Sequence, residues 1–118
     1  MYISVVWRME GLTKMEKFIL AYLWHEYFGA VYYSSGKEKP EEYLAKSFLK
    51  DVIQFSSPYY RDALNLAIKS IQKLINYWMI EVSGYEVKLT SYGQQVASSI
   101  SKKELEQIKE DISKGKIN

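Results

Sequence analysis

The longest amphipathic segment of the 118-residue chain covers residues 58–76, and the patterns around it limit the folds that the chain can adopt. Ser57 is a good N-cap and Pro58 a good first helical residue, so we expect a long helix to begin there. Its apolar residues lie within about 100° of one another on a helical wheel, which predicts one buried side. They are Leu64, Ala67, Ile68, Ile71 and Ile75.

Three elements are predicted before this helix. Thr13-Lys14-Met15-Glu16 has the form of a capping box, in which each side chain bonds the backbone of the other residue, and it predicts a helix over 14–28. A short aromatic and β-branched run predicts a strand at 30–33. Pro40 suits the first turn of a helix over 40–53, and a polar break at 54–57 then separates this helix from the long one.

A β-hairpin is predicted directly after the long helix, followed by one more helix over 91–113. Residues 79–89 alternate in polarity around Ser83-Gly84, which suits a two-residue turn. Such a turn would pair Val82 with Tyr85 and Ile80 with Val87.

The predicted order of elements is typical of a helix-turn-helix followed by a wing. We therefore expect an α+β, mostly helical, winged helix-turn-helix fold. Its domain would cover residues 13–100, with an N-terminal arm or strand at 1–12. A C-terminal helical extension at 101–118 could serve as a dimerisation element.

Two stretches of the chain resemble winged helix-turn-helix regulators. Residues 71–81 and 87–93 look most like the small MarR- and PadR-like groups of archaea and bacteria. Leu89-Thr90-Ser91-Tyr92-Gly93 matches the family's closing motif Leu-Thr-x-x-Gly, whereas Trp78 stands where the family has a glycine. The resemblance covers roughly residues 13–100 and implies a winged helix that binds double-stranded DNA.

The composition excludes several kinds of chemistry. With no cysteine, the chain has no disulfide, thiol nucleophile, zinc finger or iron–sulfur site. The single histidine, His25, is expected to be structural because no second histidine is available as a metal ligand. We predict no catalytic residue, metal or cofactor, and therefore no enzyme. Short apolar runs, the lack of a signal peptide and the composition favour a cytoplasmic protein from a heat-adapted source, without a membrane partner.

The long helix carries the residues that we expect to contact DNA. Arg61, Asn65, Lys69 and Gln72 fall on one face, and residues 59–103 contain six basic and three acidic residues. Arginine can bond guanine in a bidentate manner, and asparagine or glutamine can bond adenine. The predicted DNA-contacting set is Ser57, Tyr59, Tyr60, Arg61, Asn65, Lys69, Gln72, Lys73 and Lys88.

A homodimer is expected, because symmetric dimers match palindromic DNA sites. The last helix carries Leu105, Ile108 and Ile112 at coiled-coil spacing, so we assign these three residues to the dimer interface. A surplus of aromatic residues also favours an interface or core role over base stacking. They are Tyr22, Trp24, Tyr27, Tyr32 and Tyr33. The sequence leaves open whether a small-molecule effector binds.

Two alternatives stay open. The predicted hairpin register sets Glu81 opposite Glu86, and an acidic wing would repel phosphate. This favours a second function, a winged-helix module for protein–protein contact in a transcription or membrane-remodelling assembly. Arg61 could also be a structural ion-pair partner of Asp51 or Asp62 instead of a contact to DNA.

Overall fold

The computed structural model describes residues 11–33 and 37–118, which form an α+β fold that is mostly helical. This fold class is as predicted, although the predicted arm at 1–12 lies outside the described residues except for its last two positions. No helix in the described ranges is long and apolar enough to cross a membrane. In chain order the elements are α1 Lys14–Tyr27, β1 Ala30–Tyr32, α2 Pro40–Leu49, α3 Tyr60–Asn76, β2 Ile80–Ser83, β3 Glu86–Leu89, α4 Ser91–Ser98 and α5 Lys102–Ser113.

Helix α1 lies at the centre of the fold and packs against α3, α4 and α5. The predicted capping box begins it: the Thr13 hydroxyl accepts the Glu16 N–H at 3.1 Å, and Glu16 Oε1 accepts the Thr13 N–H at 2.9 Å. Since several sides of α1 are covered, its side chains are buried almost throughout, from Met15 to Leu23.

The connection between α2 and α3 is longer than predicted. Helix α2 ends at Leu49 instead of residue 53, because the chain then turns and the Val52 N–H bonds the Leu49 carbonyl only three residues back. Helix α3 begins at Tyr60, and Ser57 is not its N-cap. The Ser57 hydroxyl accepts the Tyr59 N–H at 3.1 Å, which stabilises the turn that leads into the helix.

The three strands form an antiparallel sheet in the order β1-β3-β2. The predicted hairpin exists, but the register predicted for it is wrong by two residues. In the structure Ile80 pairs with Leu89, and Val82 pairs with Val87. The turn residues are Gly84 and Tyr85. Gly84 has φ +60°, which suits the first central position of a type II′ turn, where glycine avoids the steric cost of a Cβ. Glu81 therefore lies opposite Lys88, not Glu86.

The predicted single helix over 91–113 is two helices. Ser101 begins the second, α5, by accepting the Glu104 N–H at 3.0 Å. Helix α5 folds back along α1, where Lys14 pairs with Asp111 at 3.0 Å. The three residues assigned to a dimer interface are buried in this chain's own core, and residues 102–113 are part of the same packed unit. That assignment is corrected for Leu105, Ile108 and Ile112.

The Leu-Thr-x-x-Gly motif joins the hairpin to α4. Leu89 is buried, and the Thr90 hydroxyl accepts the Gly93 N–H at 3.0 Å while it donates to the Trp78 carbonyl. Gly93 lies so close to the Met79 carbonyl that a Cβ would be only 2.0 Å from its oxygen. The motif is thus a structural joint between α4 and the end of α3.

Candidate nucleic-acid interface

Helix α3 presents a polar face to solvent. Its buried side consists of Ala63, Ala67, Ser70, Ile71 and Leu74, which pack into the core. After Tyr60, the residues predicted to contact DNA along this helix are all exposed; they are Arg61, Asn65, Lys69, Gln72 and Lys73. The structure therefore brings these five side chains together on the accessible side of one helix.

The charged groups of this face have no internal partners. Among the residues that the structure describes, no ion pair involves a side chain of α3. Arg61 is not paired with Asp62 or with Asp51, whose carboxylate instead accepts the Tyr22 hydroxyl at 2.8 Å. No contact therefore supports the alternative that Arg61 is a structural ion-pair partner, and its guanidinium is available to an external anion.

Three further residues predicted to contact DNA, Ser57, Tyr59 and Tyr60, lie around the start of α3. Their side chains already make contacts within the chain. Tyr60 is half-buried, and its ring lies 5.1 Å from that of Phe55. The Tyr59 ring covers the backbone of Gly115, where a Cβ would meet the ring at 2.8 Å. The Ser57 hydroxyl also accepts a hydrogen bond, so these three residues stabilise the turn before α3. Arg61 is then the first exposed cation of the helix.

Lys88 contributes little free charge. Its ammonium lies 3.3 Å from the Glu81 carboxylate across the β2–β3 pair, and the residue is half-buried. The Glu86 side chain accepts a hydrogen bond from Tyr32, which raises the pKa of that hydroxyl. The like-charged pair that the sequence predicted for the wing does not exist, so repulsion between Glu81 and Glu86 gives no reason to exclude DNA from it.

His25 has the structural role expected of it. Its Nε2 lies 2.8 Å from the carbonyl oxygen of Ile100 and donates to it, so the ring ties α1 to the break between α4 and α5. Within residues 11–33 and 37–118, no group of histidine and carboxylate side chains could hold a metal ion. Tyr22 and Tyr27 join the aromatic core around Phe48, with ring centroids 4.5 and 5.3 Å from it.

Sequence reasoning missed two exposed aromatic residues in strained backbone. Phe28 ends α1 with φ 56° and is 90% exposed, while Trp78 follows α3 with φ 62° and is 79% exposed. Both lie in the left-handed region, which favours glycine. The departure of Trp78 from the glycine of the family pattern was the available signal.

No protein-family model, curated protein or solved structure matches this chain. The case for a function therefore depends on the chemistry of the α3 face.

Proposed function

We propose that this chain is a winged-helix protein that binds double-stranded DNA as a transcriptional regulator, with α3 in the major groove. The observation that carries the proposal is the exposed α3 face, on which the arginine and lysines have no internal carboxylate partner among the described residues. Unpaired cations on one face attract a polyanion, and a helix fits the width of the major groove.

The order of side chains along α3 suits base contacts near its N-terminal end and phosphate contacts further along the helix. The helix has 17 residues and is therefore about 25 Å long. Arg61 and Asn65 lie one turn apart near its N-terminal end, the part of a recognition helix that contacts base edges. Gln72 shares their side of the helical wheel. Lys69 and Lys73 lie further along and would neutralise phosphates without reading sequence.

The α3 lysines provide the first test. We expect Lys69→Ala and Lys73→Ala each to weaken binding to random duplex DNA and to reduce the slope of log K against log salt by about one. Fluorescence anisotropy with a labelled duplex at several salt concentrations measures both quantities.

Lys103→Ala is the matched control. It removes the same charge from an exposed lysine of α5 that has no ion pair in the structure. Equal salt slopes for all three variants and the wild type would refute phosphate contact by α3. If the affinity for DNA fell equally in all three variants, it would depend on net charge alone and not on the α3 face.

The alternative of a protein-assembly module is less well supported. Its main argument was the acidic repulsion on the wing, and the observed pairing of Glu81 with Lys88 removes it. We therefore retain DNA binding as the function that the geometry supports best.

A further inference from the structure

Phe28 and Trp78 flank the same end of the sheet. The Leu89 N–H bonds the carbonyl of Gly29 at 2.8 Å, and the Thr90 N–H bonds the carbonyl of Met79 at 3.0 Å. Each exposed aromatic residue immediately precedes one of these two carbonyl residues in sequence. The backbones of Phe28 and Trp78 therefore lie on either side of the point where β3 ends and α4 begins, and both side chains are exposed.

Helix α4, which begins at this end of the sheet, carries no charge. Residues 89–101 contain no lysine, arginine, aspartate or glutamate, in a chain of which 25% is charged. The exposed residues of α4 are neutral polar ones: Ser91, Gln94, Gln95 and Ser98. We define the aromatic patch as Phe28, Trp78 and these four residues.

Both aromatic residues are unfavourable to the isolated chain in two respects. A large ring at 90% or 79% exposure gains little from burial, and a non-glycine residue with positive φ has a strained backbone. At Trp78 the strain is part of a complete Schellman motif, since the Met79 N–H bonds Leu74 and the Trp78 N–H bonds Ile75. Glycine would satisfy this motif without strain, so the benefit of the tryptophan ring lies outside the single chain.

We propose that the aromatic patch is the contact surface of a symmetric homodimer of this chain. In a twofold interface the same patch meets itself, so each charge on it must be matched by an opposite one. A patch without charges meets its own copy with no such repulsion. Aromatic enrichment and depletion of charged residues are also the composition of interface cores.

The area of the patch is of the right size. Aromatic side chains bury about 150–250 Å² each, so Phe28 and Trp78 together supply roughly 300–500 Å². This is about half of the roughly 800 Å² that each partner buries in an interface of standard size. The remaining area would come from the neutral face of α4, whose serines and glutamines can bond across the axis.

Sedimentation equilibrium without DNA tests the dimer separately from DNA binding. The wild type should form dimers in a concentration-dependent manner. Because each dimer loses the ring twice, Trp78→Gly should raise the dissociation constant by about 100-fold or more. The melting temperature of Trp78→Gly, at a concentration where the wild type is monomeric, should not fall, because glycine relieves the positive φ. A loss of dimer with an intact fold would support the patch.

A charge introduced into the aromatic patch provides an independent test of the dimer contact. Gln94→Glu would place two like charges near each other in a self-facing contact and should weaken the dimer. Gln54→Glu adds the same charge to an exposed glutamine outside the patch and should leave the dimer unchanged.

A wild type that stays monomeric at the highest concentration reached would overturn the proposal and assign the patch to an unlike protein. An unchanged dimer in both Trp78→Gly and Gln94→Glu would also overturn it, by placing the dimer contact elsewhere. Either result would leave the α3 interface to be judged from the salt dependence alone.

Discussion

Gly93→Ala should destabilise the fold more than any ordinary glycine-to-alanine change in a helix. Alanine at an interior helical position normally stabilises, by up to about 1 kcal/mol. Here the added Cβ would lie 2.0 Å from the Met79 carbonyl oxygen, against 3.4 Å or more for an ordinary contact. The obstacle is backbone, so no side-chain rotation can relieve it, and α4 must move away by more than 1 Å.

The cost can be assembled from two parts. Overpacking of a well-packed site costs about 1–3 kcal/mol. Displacement of α4 also weakens the Thr90 cap, whose loss costs about 0.5–2 kcal/mol. We therefore expect a free energy of unfolding lower by about 3 kcal/mol and a melting temperature lower by roughly 12 °C.

Thermal unfolding followed by circular dichroism measures this directly. Gly11→Ala is the control, because among the described residues no atom beyond its neighbours in the chain lies within 4 Å of a Cβ at that glycine, and its φ is not positive. The control should unfold within about 2 °C of the wild type. If Gly93→Ala matched the control, the close approach of α4 to the Trp78–Met79 backbone would be refuted, and with it our structural explanation of the Leu-Thr-x-x-Gly motif.

Three other substitutions test separate parts of the structure. Arg61→Ala should cost about 1–3 kcal/mol of affinity for a duplex selected from a random library and relax preference at one base pair. Its melting temperature should not change, because Arg61 has no ion pair; a lower melting temperature with unaltered DNA preference would contradict base readout. Leu105→Ala should lower the free energy of unfolding in urea by about 2–5 kcal/mol, since the side chain is fully buried; full stability with a lost dimer would restore the intersubunit role. Burial and the hydrogen bond to Asp51 raise the pKa of Tyr22, so the unfolded chain loses this proton first and stability falls as pH rises above about 10. Urea unfolding at pH 9 and 11 should show a smaller loss in Tyr22→Phe, by up to about 1.4 kcal/mol per pH unit; equal losses would show that Tyr22 does not titrate differently in the two states.

Local signals predicted most helices because they act within a few residues. The Thr13 capping box defined the start of α1. The apolar spacing of α3 predicted an amphipathic helix, but of the predicted core residues only Ala67 and Ile71 are buried, while Leu64, Ile68 and Ile75 are half-buried. The break before α5 was missed, although Ser101-Lys102-Lys103-Glu104 has the Ser-x-x-Glu form of the capping box, as Thr13-Lys14-Met15-Glu16 has its Thr-x-x-Glu form. Continuous apolar spacing from Val96 to Ile112 concealed it, because a change of helix direction leaves that spacing intact.

The hairpin register could not be derived from polarity alone. Side chains alternate with a period of two, so a shift of the pairing by two residues keeps every residue on its face. Only the position of glycine in the turn separates the two registers, and Gly84 is at the first central position instead of the second. That small difference changes the electrostatics of the β2–β3 hairpin, because it exchanges a repulsive pair for the ion pair of Glu81 with Lys88.

The apolar residues of the C-terminal helix show a second kind of ambiguity, between contacts within and between chains. Leu105, Ile108 and Ile112 define an apolar stripe, and the spacing alone does not say which helix covers it. In the fold α1 covers it, with Lys14–Asp111 and Lys17–Glu104 ion pairs at 3.0 and 3.6 Å alongside. The argument that surplus apolar surface marks an interface still applies, but it moves to the rings that the fold leaves exposed. Phe28 and Trp78 are such rings, and the strain at both positions makes them the better evidence for a contact outside the chain.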